Sequence, residues 1–334
     1  MHIFIDESGT FAPVKNGERS LSLVGALIVP DWSLPKLLTR YAQRRVSLPK
    51  NSSGEVKGKL LDENQVSRVV DLLIKSNCLF EVVAVDMGNE DVQSIERHRA
   101  GQAEGITKNL TDKFHPNVVS QLWELRRRWE AMSVPLLMQS VVFFETLAMV
   151  MEHAPLYYVQ RAPRELANFH WIVDGKGVET LTKAEDWWKS TMCPLLQTRS
   201  IRNPMIMLKG ADYSHFLEKF SMGVPEYMVP HVGHDTDTTN LGKMLKESFR
   251  FSSNAEPGLE LVDIVTNATR RALIGNLGEA GWTDIPRLMV HRQEQYIRFI
   301  TLNVEGSENR RVSYANVLSK FRKTGKSMLT DNGD

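Results

Sequence analysis

The segment Ile3-Phe4-Ile5-Asp6-Glu7-Ser8-Gly9 constrains this chain more than any other: a short apolar run stops at two acids, a serine and a glycine. Such a run is a buried strand ended by a turn. Asn16-Gly17, the strongest short hairpin signal, follows within a few residues. Leu21 to Pro30 (Leu-Ser-Leu-Val-Gly-Ala-Leu-Ile-Val-Pro) is then a second strand. A first strand that returns at once through a hairpin does not enter a parallel βα unit, so the sheet opens antiparallel.

Downstream, strand and helix patterns mix. Leu34 to Val46 is helical in pattern, and Asp62 caps a helix reaching about Ser76, with Val66, Val69, Val70, Leu73 and Ile74 on one face. Leu79 to Asp86 and Phe169 to Val173 are further strands, the second running into Asp174-Gly175-Lys176-Gly177. Between them, from about residue 88 to 164, charged segments and an apolar helix from Leu136 to Glu152 predict a helical insertion. A helix carries Trp187 and Trp188. Met205 to Leu208 is a strand candidate, Phe249 to Phe251 a short strand, and Pro257 opens a helix from about Gly258 to Ile274. The expectation is one α/β domain over residues 1–321, with a mixed sheet, helices on both faces and a flexible polar tail at 322–334.

Bulk properties narrow the function classes. A net charge of +1 over 334 residues gives no global basic field, which argues against a non-specific nucleic-acid wrapper but leaves a local groove open. Cys78 and Cys193 offer neither a disulfide framework nor a zinc pattern. The charge at Asp6 interrupts any signal peptide, and no uncharged apolar stretch reaches bilayer length, so a cytoplasmic protein with no membrane role is expected.

Chemistry concentrates in acids. Asp6, Asp86 and Asp174 each end a strand, where open α/β sheets place ligands. Acids there also cap turns; that reading outweighs a site role for Asp86 and stands level with it for Asp174. Asp263 lies in apolar company on the helix opened by Pro257, where Glu256, Glu260, Asp263, Asn267 and Arg270 form one polar face. An isolated acid there is costly without a partner, whereas Glu260 could simply pair with Arg270 or Lys243. Converging carboxylates hold protons or bind a cation, and Mg²⁺ or Mn²⁺ suits oxygen ligands beside substrate phosphates.

These patches resemble domain-of-unknown-function family 3800. Ile3 to Gly9 is similar to its N-terminal hallmark, Glu55-Val56-Lys57 to its E-x-K/H segment, and Pro257-Gly258-Leu259-Glu260-Leu261-Val262-Asp263 to its final-helix motif, with Glu260 and Val262 where the family usually has glutamine and alanine. The resemblance implies a ribonuclease-H-like fold and a divalent-metal-dependent nuclease. It implies Asp6, Asp174 and Asp263 as Mg²⁺ or Mn²⁺ ligands, with Glu55 completing the catalytic set. Ser8, Lys57 and Lys176 are then candidates for substrate phosphate, Lys176 more plainly a surface lysine. The implied partner is RNA or DNA; oligomeric state is open.

Two rival readings remain. Asp6-Glu7-Ser8-Gly9-Thr10 resembles the nucleophile loop of haloacid-dehalogenase-like phosphatases, although that fold continues from its first strand through a parallel βα unit. A non-catalytic binding or scaffold protein is the other. His231-Val-Gly-His234-Asp235-Thr-Asp237 lacks specific metal spacing, and Trp123 to Trp129, with Arg126, Arg127 and Arg128, is a weak pointer to nucleic acid.

Overall fold

A computed structural model describes residues 1–15, 18, 20–111, 114–175, 186–223, 238–291, 296–302, 314–321 and 324–330. The hairpin residues Asn16 and Gly17, Lys176, and the whole of His231 to Asp237 lie outside the described residues.

Six strands form one mixed sheet. They are β1 (His2–Ser8), β2 (Leu21–Val29), β3 (Leu79–Asp86), β4 (His170–Asp174), β5 (Phe249–Ser252) and β6 (Arg298–Ile300), in the order β5-β4-β1-β2-β3-β6. β1 pairs antiparallel with β2, and β2 with β3. β4 runs parallel to β1, β5 to β4, and β6 to β3. The sequence thus folds antiparallel first and parallel afterwards. Every residue of β2 is buried, as a central strand covered on both faces must be.

Strand alternation divides the core. Ile3 and Ile5 of β1 face one apolar cluster with Trp171 and Val173 of β4, whereas Phe4 and Ile172 face the other. The second face is covered by α1 (Leu34–Arg45), α2 (Glu63–Lys75) and the helix Pro257–Ile274. α2 starts at a capping box in which Asp62 and Gln65 bond each other's backbone N–H. The first face is covered by the helical segment between β3 and β4: α3 (Val92–Thr107), α4 (Pro116–Glu130) and α5 (Val134–Val159).

α5 extends beyond the expected helix from Leu136 to Glu152. At 26 residues, with mean hydropathy 1.7 over its most apolar window, it is long and apolar enough to cross a membrane by composition. Glu145 and Glu152 break the run when the sequence is read for uncharged stretches. In the fold it is a core helix, with Leu137, Met138, Val142, Leu147 and Met149 buried beside the sheet. Glu145 pairs with Arg199 and Arg298.

Three other segments differ from expectation. Met205 to Leu208 forms no strand: it lies outside the sheet, with Ile206 and Met207 exposed. Ser214–Phe220 is helical, although the stretch from Gly210 to Leu241, rich in His, Asp and Pro, reads as irregular in sequence. Of the tail, residues 324–330 are held against the body: Lys326 bridges to Val290, and its Nζ donates to the Cys78 carbonyl at 2.8 Å.

The remaining α-helices among the described residues are α6 (Cys193–Arg202), α7 (Ser214–Phe220), α8 (Leu241–Lys246), α9 (Pro257–Ile274) and α10 (Ala315–Phe321). Pro257 starts α9, and Gly275 ends it in the left-handed region at φ +81°.

Candidate active site

The C-terminal ends of β1, β3 and β4 lie along one edge of the sheet, so its topology brings Asp6, Asp86 and Asp174 to the same side. Asp6 and Asp174 each follow the paired residues Ile5 and Val173, and strand alternation turns both toward α9. α9 presents Asp263 to them. Close docking of α9 depends on two glycines: a Cβ at Gly25, opposite Asp6, would lie 2.1 Å from Thr266 Oγ1, and one at Gly258 would enter the Phe4 ring.

Asp6 is the electrostatic centre. It is 7% exposed, and burial raises its pKa well above the usual carboxylate range, reinforced by the charges of Asp263, Asp174 and Glu7. The Glu7 backbone N–H donates to Asp6 Oδ1 at 2.7 Å and partly offsets this. Burial also raises the Asp263 pKa, opposed by the Gly58 N–H, which donates to Asp263 Oδ2 at 2.7 Å, and by Lys57. A hydrogen bond with Asp6 favours the charged form of Asp263 and offsets part of the rise. Asp174 is raised by burial as well, with Lys57 opposing and Glu7, Asp263 and Glu55 reinforcing.

The segment Glu55-Val56-Lys57-Gly58 supplies the facing cation. Lys57 Nζ lies 3.2 Å from Glu55 Oε2. Burial lowers the Lys57 pKa, but Asp263, Glu55 and Asp174 outweigh it and keep the ammonium charged. Gly58 lets this segment reach α9: a Cβ there would stand 2.9 Å from Asn267 Cβ and from Ile264 Cα. Glu260 anchors the same segment, accepting from Val56 N–H at 2.9 Å, Tyr41 Oη at 2.9 Å, and Arg45 Nε and Nη2 at 2.7 Å each. Its partner is therefore Arg45 rather than Arg270 or Lys243; Arg270 instead donates to the Leu21 carbonyl.

Ser8 faces α9 and accepts from Asn267 Nδ2 at 3.4 Å, while Asn267 Oδ1 is buried without a hydrogen-bond partner. Glu7 points to the opposite face by alternation, and sequence reading missed it as a site residue; its adjacency to Asp6 in the strand was the available signal. Asp86 caps its own turn, accepting from Gly88 N–H at 3.1 Å and Asn89 Nδ2 at 3.0 Å.

The oxygen donor set suits a hard cation. Mg²⁺ commonly takes one or two carboxylates and completes its shell with water and substrate phosphate, and the Asp6–Asp263 pair fits that requirement. It is not a closed three-acid cage. Among the described residues, the three-residue group with ligand atoms mutually within 4.8 Å is His2, Asp31 and His170, at the opposite end of the sheet. Asp31 there is already bonded to His2 Nδ1 at 2.9 Å and paired with the N-terminal ammonium at 3.0 Å. Despite its burial, these partners bring its pKa down to about 2. Its charge is compensated by these partners.

Around the sheet edge from the acids lies a cavity of about 590 Å³, lined by Glu7 and Asp174 at one end and by Phe143, Trp187, Trp188 and Phe251 along its walls. A π-helical turn, Trp188–Met192, forms part of the wall. Arg128, from the tryptophan-arginine segment, reaches the rim and pairs with Glu124 and Asp186. Arg126 and Arg127 pair with Glu130 and Glu124, so this basic run is largely neutralised within the protein.

No protein-family model matches the chain, no curated protein matches it, and no solved structure matches it.

Proposed function

We propose that this protein is a divalent-metal-dependent nuclease with a ribonuclease-H-like sheet, in which Asp6 and Asp263 hold Mg²⁺ or Mn²⁺ and Asp174 and Glu55 stand beside them. The observation that carries the reading is the convergence of the 7% exposed Asp6 with Asp174, on the neighbouring parallel strand, and Asp263 of α9, charges that with burial raise the Asp6 pKa. A cation relieves that repulsion. The strand order β3-β2-β1-β4-β5, antiparallel through its first three members and parallel afterwards, supports the fold assignment. So does the resemblance of Ile3 to Gly9, Glu55 to Lys57 and Pro257 to Asp263 to domain-of-unknown-function family 3800. The direct antiparallel return of β1 into β2 favours this reading over the phosphatase.

The bound ion would supply an activated water and charge stabilisation for the leaving oxygen. The chain's own residues do the rest. Gly58 N–H fixes one oxygen of Asp263, and Glu7 N–H fixes one of Asp6. A proton held on the Asp6 carboxyl, whose pKa is raised, would leave to solvent as a cation bound. Lys57, which faces Asp263 and Asp174, neutralises substrate phosphate, and Ser8 with Asn267 borders the same polar pocket.

Titration calorimetry with Mn²⁺ in two buffers of different ionisation enthalpy tests this. Across a pH series the wild type should bind with proton release, and Asp6→Asn plus Asp263→Asn should lose both binding and release. Equal binding by the double variant would move the metal elsewhere.

A further inference from the structure

The cavity beside the acids has walls that metal chemistry alone does not require. Trp187 stacks on Trp129 with ring centroids 6.1 Å apart, which holds it as a flat wall. Trp188 is fixed by stacking on Phe249 at 3.8 Å and by its indole N–H, which donates to the Leu245 carbonyl at 3.1 Å. Phe143 meets Trp188 edge-on at 5.6 Å. The result is a preformed space with aromatic sides, within the roughly 300–1,000 Å³ range of small-ligand pockets. It reaches the acids through Glu7 and Asp174, which it shares with them. A ligand with one group in this space therefore has its adjoining group at the carboxylate edge.

Resting on the nuclease reading, we propose that this cavity is a base subsite: it seats one unpaired nucleobase of the substrate strand, next to the phosphate held at Asp6 and Asp263. A base offers a π-face to each wall, and the phosphodiester attached to it is the group a metal-loaded acid cluster attracts. An acyl chain would fill the apolar space but gives the carboxylate edge nothing to act on. Seating a base in this way requires a single strand or an extruded nucleotide, because a paired base presents neither face.

The test uses fluorescein-labelled 12-nucleotide single-stranded RNA and DNA, each with or without one central abasic position. Binding is read by anisotropy in Ca²⁺, and cleavage in Mn²⁺. The proteins are wild type, Phe143→Ala and Ala131→Trp; the last places an indole in the cavity from an exposed lining position and leaves the core intact. The wild type should cleave the intact strand and skip the bond beside the abasic position. Both variants should bind the intact strand about tenfold more weakly, the low end of what one base–aromatic stack contributes. Ala131→Trp should bind intact and abasic strands alike. If the wild type cleaves nucleic acid but treats abasic and intact positions equally, or if Ala131→Trp binds and cleaves as the wild type does, the base subsite is wrong and the nuclease reading survives. If the wild type neither binds nor cleaves any strand, the nuclease reading fails and takes the subsite with it.

Discussion

Replacing Glu260 by glutamine tests how the site's cation-bearing segment is held. Glu260 is 4% exposed and accepts four hydrogen bonds, two of them from the Arg45 guanidinium. A hydrogen bond to a charged group contributes about 1.5–3 kcal/mol. Removing one member of a fully buried ion pair costs about 3–5 kcal/mol. Arg45 is 28% exposed and can recover some water, so the loss should be about 2–4 kcal/mol by the same reasoning. For a chain of this size each kcal/mol moves Tm by about 2 °C, which predicts a fall of about 4–8 °C at pH 7.5. The pH dependence has a definite sign. Burial raises the Glu260 pKa, but Arg45, Val56 N–H and Tyr41 outweigh it and leave it lowered. A carboxylate with a lowered folded pKa stabilises above its unfolded value, near 4.3, and the benefit is lost as pH falls through the folded value. The gap between wild type and Glu260→Gln should therefore narrow on acidification. Thermal unfolding followed by circular dichroism from pH 3 to 8 measures this. A Tm unchanged at pH 7.5, or a deficit just as large at pH 3, would refute the anchoring role.

Three further outcomes are expected. Asp6→Asn in EDTA should melt at or above the wild-type temperature at pH 7.5. The raised pKa of Asp6 means that between about pH 4 and its folded value the unfolded chain holds fewer protons, so wild-type stability falls as pH rises while the variant's stays flatter; a lower melting point at every pH would make Asp6 structural. Gly58→Ala should lose about 1–3 kcal/mol from overpacking against α9 and weaken Mn²⁺ binding, because the Gly58 N–H on Asp263 is displaced; unchanged calorimetry would remove that hydrogen bond from the site. Lys326 is brought down to about 8 by burial. Between pH 8 and its unfolded value near 10.4 the unfolded chain holds more protons, so this group makes stability rise with pH by up to about 3 kcal/mol. Lys326→Met should erase that rise, and parallel alkaline curves for the two proteins would contradict it.

The sheet's beginning is legible in the sequence because its signals are local. Three apolar residues followed by Asp-Glu-Ser-Gly end β1, a nine-residue apolar run makes β2, and Pro257 with Gly275 brackets α9. The convergence of Asp6, Asp174 and Asp263 is also readable, since acids at parallel strand ends and one acid on an apolar helix are visible as pattern. What joins them is not. The Glu260–Arg45 pair spans 215 residues, and no spacing rule reaches that far. Glu7 is hidden by strand alternation: it neighbours Asp6 in sequence but points to the other face, where the cavity lies. Met205 to Leu208 shows the converse error, an apolar run with strand propensity that stays outside the sheet with Ile206 and Met207 exposed. α5 hides its role because two glutamates on a buried helix look like breaks until Arg199 and Arg298 are seen beside both of them.

The central claim is that the carboxylates around Asp6 form a metal-dependent phosphodiesterase centre. Cleavage of labelled single- and double-stranded RNA and DNA in Mn²⁺, Mg²⁺ or EDTA, by wild type and by Asp6→Asn plus Asp263→Asn, tests it most directly. The account predicts cleavage of at least one substrate by the wild type with metal, none in EDTA, and none by the folded double variant. Cleavage that persists in the double variant, or a folded, metal-supplied wild type that cleaves nothing, would contradict it.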